Sequence, residues 1–325
     1  MPPLPGSPIP CRPTAWWPLL ATGCAGAATI EPIDEIAPAD AQAPEAPTSD
    51  PRPDTAAPPT AACSPTLAPG RHTLRLRHDG EARSYELIVP DVPGALPLVL
   101  AFHGWLETPD LLLANSHLDV DAEREGFLLA APAGLSRSWD GGACCGASVD
   151  AHADDVGFAR AVVAHVAARA CVDPARIYAT GFSNGAFLTH RLACQASDLF
   201  AAAAPVSGMM TIDPDTCVDP APLLHLHGTA DVVVPYPGNA LLNYPSFDAS
   251  NARWRAIRGC AGRPGREARE QASCETWAAC DAGGELQACT LPGWPHQWPT
   301  RGSPLDANAA IWTFFRQHTL GERAD

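Results

Sequence analysis

The 325-residue sequence contains no lysine, so all 21 basic side chains are arginines, set against 36 aspartates and glutamates. The formal net charge is −15 at pH 7. A surface of this sign repels phosphate backbones and anionic membranes, which argues against a nucleic-acid partner. No apolar run reaches the ~18 to 20 residues that a membrane-spanning helix needs, so no transmembrane span is expected.

Metal-binding patterns are also scarce, because none of the twelve cysteines has the C-x-x-C spacing of zinc sites. Asp150, His152 and Asp154 could be drawn as ligands, but no second cluster accompanies them, and neither a metal nor a cofactor is predicted. Cysteines at this density predict disulfides and therefore export, the alternative being buried thiols in a cytosolic enzyme. The disulfide candidates are Cys63, Cys144, Cys145, Cys171, Cys194, Cys217, Cys260, Cys274, Cys280 and Cys289.

The first 62 residues read as an export segment followed by a linker. An apolar stretch over 15–21 leads into Thr22-Gly23-Cys24, which is similar to a bacterial lipoprotein cleavage site and makes Cys24 a lipidation candidate. An Ala/Pro-rich composition without hydrophobic periodicity predicts a disordered linker. We therefore expect an export segment over 1–24, a linker over 25–62 and one folded domain over 63–325, in a protein that is secreted or anchored to the cell envelope.

After Cys63 the hydrophobic pattern alternates between strands and helices. Two runs of period two, 71–76 and 83–89, predict an antiparallel pair with a turn at Asp79-Gly80. Further strands are predicted over 98–102, 127–131, 176–180, 200–206, 223–226 and 285–290, and helices over 154–170, 184–194 and 305–317. This alternation predicts an α/β fold, with a mostly parallel central sheet and helices on both faces.

Residues 181–185 read G-x-S-x-G and lie between a predicted strand and a predicted helix. A serine exposed at a sharp turn needs small neighbours so that strand and helix can approach, which makes Ser183 the predicted nucleophile. The Asn184 amide would be one donor to an oxyanion, and the Trp105 or Gly104 amide, after a buried strand, the second. The competing interpretation is a glycine-rich turn in which Ser183 only caps a helix.

A base and an acid follow the serine along the chain. His296 lies in a rigid aromatic loop after the last predicted strand, where α/β sheets place reactive groups. Asp231 comes soon after strand 223–226, where its carboxylate would fix the imidazole tautomer and stabilise the imidazolium. Asp154 and Asp155 are rivals for the acid, but they precede the serine and better explain a helix N-terminus. The order Ser, Asp, His is the one found in α/β-hydrolases.

Motifs from Cys63 to the C-terminal helix resemble those of the secreted esterases grouped with polyhydroxybutyrate depolymerases, feruloyl esterases and acetylxylan esterases. The markers are Arg83-Ser84-Tyr85, Phe102-His103-Gly104, Trp139-Asp140, Cys144-Cys145-Gly146 and the segments 154–158, 171–174, 181–185, 197–200, 227–231 and 296–299. The resemblance implies an α/β-hydrolase fold, no cofactor, carboxylic-ester hydrolysis and the same triad.

The resemblance also implies that cysteines near the G-x-S-x-G turn form disulfides. Partners are expected among Cys63, Cys171, Cys194 and Cys217, without a fixed connectivity. A bond between Cys144 and Cys145 is not expected, because neighbouring residues would close a strained ring.

The predicted reaction is acyl transfer through Ser183 on a polymeric ester, with a feruloyl or acetyl ester on plant polysaccharide as the favoured substrate. A poly(3-hydroxybutyrate) depolymerase, a peptidase on the same fold and a non-catalytic binding protein on a hydrolase scaffold are the alternatives. Candidates for an aromatic substrate cleft are Trp139, Trp294 and Trp298, with Trp105 beside them. Gly293-Trp294-Pro295 replaces the family's glycine-rich run before the histidine, which predicts a narrower acyl pocket.

Overall fold

One ten-stranded sheet organises residues 65–281 and 284–322, the part of the chain that the computed structural model describes. Its strands are β1 (Gly70–His78), β2 (Glu81–Val89), β3 (Leu96–Phe102), β4 (Leu128–Pro132), β5 (Val172–Phe182), β6 (Ala202–Val206), β7 (Leu223–Gly228), β8 (Gly265–Arg269), β9 (Ala272–Trp277) and β10 (Leu286–Leu291). The spatial order is β1-β2-β4-β3-β5-β6-β7-β10-β9-β8. The first strand of the chain, β1, therefore lies at one edge and β8 at the other, whereas the last strand, β10, lies inside the sheet.

The centre of the sheet is parallel and its edges are antiparallel. Strands β4, β3, β5, β6, β7 and β10 run parallel to one another. Antiparallel pairs extend the sheet through β2 and β1 on one side and through β9 and β8 on the other. Every residue of β3, β4, β6 and β7 is buried, as expected for strands covered on both faces, whereas β1 alternates between half-buried and more exposed positions.

Helices pack on both faces of this sheet, as the sequence predicted. In the described ranges they are α1 (Pro109–Ser116), α2 (Leu118–Glu125), α3 (Ala147–Asp150), α4 (Asp155–Ala167), α5 (Asn184–Gln195), α6 (Phe247–Ile257) and α7 (Ala307–Phe315). Side chains of Thr108, Asp154, Ser246 and Asp306 accept hydrogen bonds from first-turn amides and so fix where four of them begin. None of the helices here has both the length and the apolar character needed to cross a bilayer.

Two hydrophobic clusters lie on the two faces, and β3 contributes to both. Leu100 and Phe102 belong to one cluster, and Val99 and Ala101 belong to the other. This is the period-two alternation of a strand buried on both sides. Helices α4 and α5 bury their apolar residues in the first cluster, whereas α1, α2 and α7 bury theirs in the second. The predicted fold class, an α/β-hydrolase fold with a mostly parallel sheet, is confirmed.

Disulfides link several of the described cysteines, as predicted from their number. The pairs are Cys194–Cys217, Cys260–Cys280 and Cys274–Cys289, with separations of 23, 20 and 15 residues. Cys171 is disulfide-bonded as well. Each bond closes a loop that the unfolded chain would otherwise leave free, which stabilises the folded state. The disulfide candidate Cys63 and the lipidation candidate Cys24 lie outside the described residues.

The expectation about Cys144 and Cys145 was wrong, since these neighbours are bonded to each other. The peptide between them is cis, and their Cα atoms are 3.1 Å apart. A trans peptide would hold them ~3.8 Å apart. The shorter Cα separation lets the two sulfur atoms meet within one small ring, a geometry that spacing in the sequence does not reveal.

Candidate active site

Ser183 occupies the tight turn between β5 and α5. Its backbone has a φ of 52°, and only 9% of the residue is exposed. A Cβ atom on Gly181 would collide with the Gly185 carbonyl, and one on Gly185 would collide with the Phe102 carbonyl. The two glycines therefore let strand and helix approach closely enough to hold the serine in a strained conformation with positive φ. This is the turn that the G-x-S-x-G pattern predicts.

His296 lies between Ser183 and Asp231 and contacts both. Its Nε2 is 2.9 Å from Ser183 Oγ, although the two residues are 113 positions apart, and its Nδ1 is 2.6 Å from Asp231 Oδ2. Asp231 Oδ1 accepts hydrogen bonds from the amides of Val233 and Val234 at 2.9 and 2.8 Å. A carboxylate can only accept, so Nδ1 carries the imidazole hydrogen and Nε2 is left to accept the serine proton.

Sheet pairing explains why the acid loop and the base loop meet. Gly228 at the end of β7 pairs with Leu291 at the end of the parallel strand β10. Beyond the strands, the Ala230 amide donates to the Trp294 carbonyl at 3.0 Å, and a Cβ on Gly228 would collide with that carbonyl. Asp231 and His296 are thus held at one carboxyl edge of the sheet, where α/β folds place reactive groups.

The oxyanion donors proposed from the sequence differ in their availability. The Gly104 amide donates to Glu107 Oε2 at 2.8 Å and is already engaged. The amides of Asn184 and Trp105 donate to no acceptor within the described part of the chain. The Asn184 side chain is fixed by a pair of hydrogen bonds to the Trp139 backbone, at 2.8 and 2.9 Å. Asn184 and Trp105 are therefore the pair expected to receive an oxyanion.

Two of the three proposed cleft tryptophans line a cavity with the base, and the third does not. Trp294 and Trp298 border a cavity of about 350 Å³ together with His296. Trp139 is fully buried, and its indole N–H donates to the His103 carbonyl at 2.9 Å. The placement of Trp139 in a substrate cleft was therefore wrong. A large apolar ring with its one polar atom satisfied is stable in the core.

The rival residues have structural roles. Asp155 is buried, and its carboxylate accepts hydrogen bonds from Arg83 Nη2 at 3.0 Å and from the Asp140 amide at 2.8 Å. Asp154 accepts from the Gly157 amide at 2.8 Å as the N-cap of α4. Neither is bonded to the catalytic candidate His296 in the residues described. Of Asp150, His152 and Asp154, which the sequence analysis considered as metal ligands and did not predict to bind one, only Asp154 falls in a His/Asp group, formed with His78 and Asp79 and largely exposed.

Two residues near the site were not predicted. Glu107 lines the cavity that contains His296. His227 Nε2 lies 3.4 Å from Asp231 Oδ2 and 2.8 Å from the Val234 carbonyl, which helps to fix the acid loop. An acidic residue just before a helix reads as a favourable helix-terminus charge, so Glu107 carries no distinct signal in the sequence. In the sequence, His227 appears only as the first residue of the marker segment 227–231, with no role of its own.

His103 beside the site is held in its neutral form. It is 1% exposed, its Nε2 accepts from the Gly134 amide at 3.0 Å, and its Nδ1 lies 2.7 Å from the Gly104 carbonyl. Burial lowers the pKa of His103 from 6.5 to about 4. Protonation would add a hydrogen at Nε2, where the Gly134 N–H already points. His103 therefore supports the loop after β3 only while it is uncharged.

Acidification is expected to destabilise the fold through His103. Because its pKa is lower in the folded state, the unfolded chain takes up the proton first, and stability falls as pH drops below 6.5 towards 4. The contribution lost at about pH 5 is about 2 kcal/mol. Urea unfolding at neutral pH and at about pH 5 measures it. His103→Gln should show a smaller difference between the two pH values, whereas the exposed His152→Gln should behave as wild type. Equal pH dependence in all three proteins would contradict the assignment.

The parallel sheet, the serine turn and the hydrogen-bonded Ser–His–Asp arrangement together define the α/β-hydrolase class. The profile of the Prolyl oligopeptidase family matches residues 153–219, the segment that contains the serine turn. Among solved structures, the acetyl xylan esterase from Aspergillus awamori covers 72% of this chain and 94% of its own with a TM-score of 0.52 and 17% identity. At that identity the likeness concerns the fold.

Curated relatives identify the family within this class. Putative esterase NocK of Nocardia uniformis subsp. tsuyamanensis is 32% identical over 250 residues, covering 68% of this chain and 72% of the relative. Feruloyl esterase B of Piromyces equi is 30% identical over 243 residues, covering 70% of this chain. The chain belongs to the esterase family of the α/β-hydrolases, as its motifs predicted. The matched region spans 43% of the length of the Piromyces equi protein.

Proposed function

We propose that this chain is an exported serine esterase that cleaves carboxylic esters through an acyl-enzyme on Ser183. The observation that carries the proposal is the hydrogen-bonded position of His296, 2.9 Å from the Ser183 hydroxyl and 2.6 Å from the Asp231 carboxylate. A base that is oriented by a buried acid and bonded to a strained serine is the arrangement that activates a hydroxyl nucleophile.

The reaction has two halves that use the same groups. Ser183 Oγ attacks the ester carbonyl while His296 Nε2 takes its proton, and the carbonyl oxygen becomes an oxyanion facing the Asn184 and Trp105 amides. His296 then gives the proton to the departing alcohol, which leaves an acyl group on Ser183. Water repeats the attack with His296 as base, and the carboxylic acid is released. Asp231 holds the imidazolium in each half.

The favoured substrates are feruloyl or acetyl esters on plant polysaccharide. Relatives named as feruloyl esterase B and as a bifunctional acetylxylan esterase/xylanase support this choice. The cavity beside His296 supports it as well, because Phe182, Trp294 and Trp298 offer it aromatic walls. A planar cinnamoyl ring stacks favourably on such side chains.

Export is part of the same proposal. Disulfides between Cys194 and Cys217, Cys260 and Cys280, and Cys274 and Cys289 are typical of proteins from oxidising compartments. A lipid on Cys24, followed by a linker over 25–62, would tether a catalytic domain over 63–325 to the cell envelope. The lipid, the linker and the export segment concern residues outside the described ranges and stand on the sequence pattern.

Covalent labelling tests the proposal directly. A fluorophosphonate probe should phosphonylate the wild-type protein with loss of fluoride, and mass spectrometry should find the adduct on the peptide that contains Ser183. Prior treatment with an excess of methyl ferulate should slow the labelling. A folded protein that is not labelled would instead support a binding protein on a hydrolase scaffold.

An ester panel separates the candidate activities. Release of ferulate from methyl ferulate and of acetate from acetylated xylan is expected. Clearing of poly(3-hydroxybutyrate) granules in preference to both would identify a depolymerase. Faster cleavage of a matched anilide than of the corresponding ester would identify a peptidase.

A further inference from the structure

Glu107 places a carboxylate in the cavity beside the proposed base. It lies in the loop between β3 and α1 and lines the same 350 Å³ space as His296, Phe182, Trp294 and Trp298. No Arg or His side chain of the described residues forms an ion pair with it. A half-buried carboxylate without a salt-bridge partner is unfavourable for stability, and such groups concentrate at functional sites.

The orientation of this carboxylate is fixed. Glu107 Oε2 accepts the Gly104 amide hydrogen at 2.8 Å, while Oε1 receives no hydrogen bond from any residue in the described ranges. Burial raises the pKa of Glu107, and the Gly104 hydrogen bond and the nearby His296 act in the opposite direction. One oxygen is therefore held by the backbone, and the other is left as an acceptor in a cavity with aromatic walls.

We propose that Glu107 is a specificity-determining residue that accepts a hydrogen bond from a phenolic hydroxyl on the aromatic acyl group of the ester. The inference rests on the proposed esterase function and takes the cavity beside His296 as the pocket for the acyl group. Phe182, Trp294 and Trp298 hold the ring of a cinnamoyl-type acyl group, and Glu107 meets a hydroxyl on that ring. The same negative charge repels an acyl group that carries a carboxylate of its own.

Three methyl esters that differ at one ring position test the proposal. They are methyl cinnamate, methyl 4-hydroxycinnamate and methyl 4-carboxycinnamate. In the wild-type full-length chain, kcat/KM should be about 10- to 100-fold higher for the hydroxyl ester than for the unsubstituted one, the range expected for a hydrogen bond to a charged group. The carboxylate ester should be the poorest of the three.

Glu107→Gln keeps the size of the side chain and removes its charge. The glutamine carbonyl is expected to take the Gly104 hydrogen bond, which turns the NH2 group, a donor, into the cavity. The preference for the hydroxyl ester should fall about tenfold or more, and the relative rate on the carboxylate ester should rise about tenfold. Ratios of esters measured on one preparation do not depend on the fraction of folded protein. The exposed Glu123→Gln is the matched control and should keep the wild-type ratios.

Binding measurements separate this proposal from the proposed function. The same esters are titrated into Ser183→Ala and into the double variant Ser183→Ala with Glu107→Gln, with tryptophan fluorescence as the signal. We expect Ser183→Ala to bind the hydroxyl ester more tightly than the other two esters, and we expect the double variant to lose this preference. This outcome does not depend on turnover by the wild type. Equal discrimination by the two proteins, or none by either, would overturn the role of Glu107 and leave the esterase proposal intact. If the wild type did not turn over any of the esters but Ser183→Ala still bound the hydroxyl ester selectively, the esterase proposal would fail and the role of Glu107 would stand.

Discussion

Ser183→Ala is expected to lower kcat for p-nitrophenyl acetate hydrolysis by about 10⁵- to 10⁶-fold, the scale seen when a triad nucleophile is removed. The side chain makes its hydrogen bond to His296 Nε2 and is nearly buried. Alanine leaves the Asp231–His296 contact and the two oxyanion amides in place. It removes only the atom that forms the acyl-enzyme, so the loss should appear in kcat with little change in folding.

The measurement combines initial rates with a check of folded state. Thermal unfolding and circular dichroism of Ser183→Ala should match the wild type closely. Ser273→Ala, an identical change at an exposed position of β9, serves as the control and should retain activity within about twofold. A Ser183→Ala protein that keeps more than about one hundredth of the wild-type rate would rule out the acyl-enzyme mechanism.

The serine turn could be predicted from the sequence because its physical requirements are local. Gly181 and Gly185 are needed where strand and helix touch, and the collisions of a Cβ at either position show why. The acid and base could be proposed because each follows a predicted strand, and parallel neighbours bring their carboxyl ends together. Asp231 and His296 were proposed from their order along the chain after Ser183 and from their positions after predicted strands, without knowledge of which strands are neighbours.

Other features could not be predicted, because they depend on tertiary contacts or lack a hydrophobic pattern. Strand β8 is almost entirely exposed, so it shows no alternation of apolar residues. Trp139 lies in a loop without periodicity, which gives no indication of the direction in which the ring points. The hydrogen bond between the Gly104 amide and Glu107, which removes one proposed oxyanion donor, is visible only in the folded structure.

Asp231→Asn is expected to lower kcat by about 10⁴-fold while leaving the positions of the three side chains nearly unchanged. The amides of Val233 and Val234 donate to Asp231 Oδ1, and after substitution they can bond only the carbonyl oxygen of asparagine. The NH2 group must then face His296 Nδ1, which has to accept. The imidazole hydrogen moves to Nε2, where it points at Ser183 Oγ and cannot take the serine proton. The loss thus arises from the wrong tautomer as much as from the missing charge.

Asp154→Asn is the matched control because Asp154 was the alternative acid in the sequence. Asparagine caps a helix as well as aspartate does, so α4 should keep its start and the enzyme its activity within about twofold. Both variants are assayed for kcat and for fluorophosphonate labelling rate, since labelling also needs an activated serine. If Asp231→Asn retained kcat within about tenfold of the wild type, or if Asp154→Asn lost it, the acid would have been assigned to the wrong residue. The hydrogen-bonded geometry predicts the first variant to fail in both assays, because His296 can then hold its proton only on the side that faces the nucleophile.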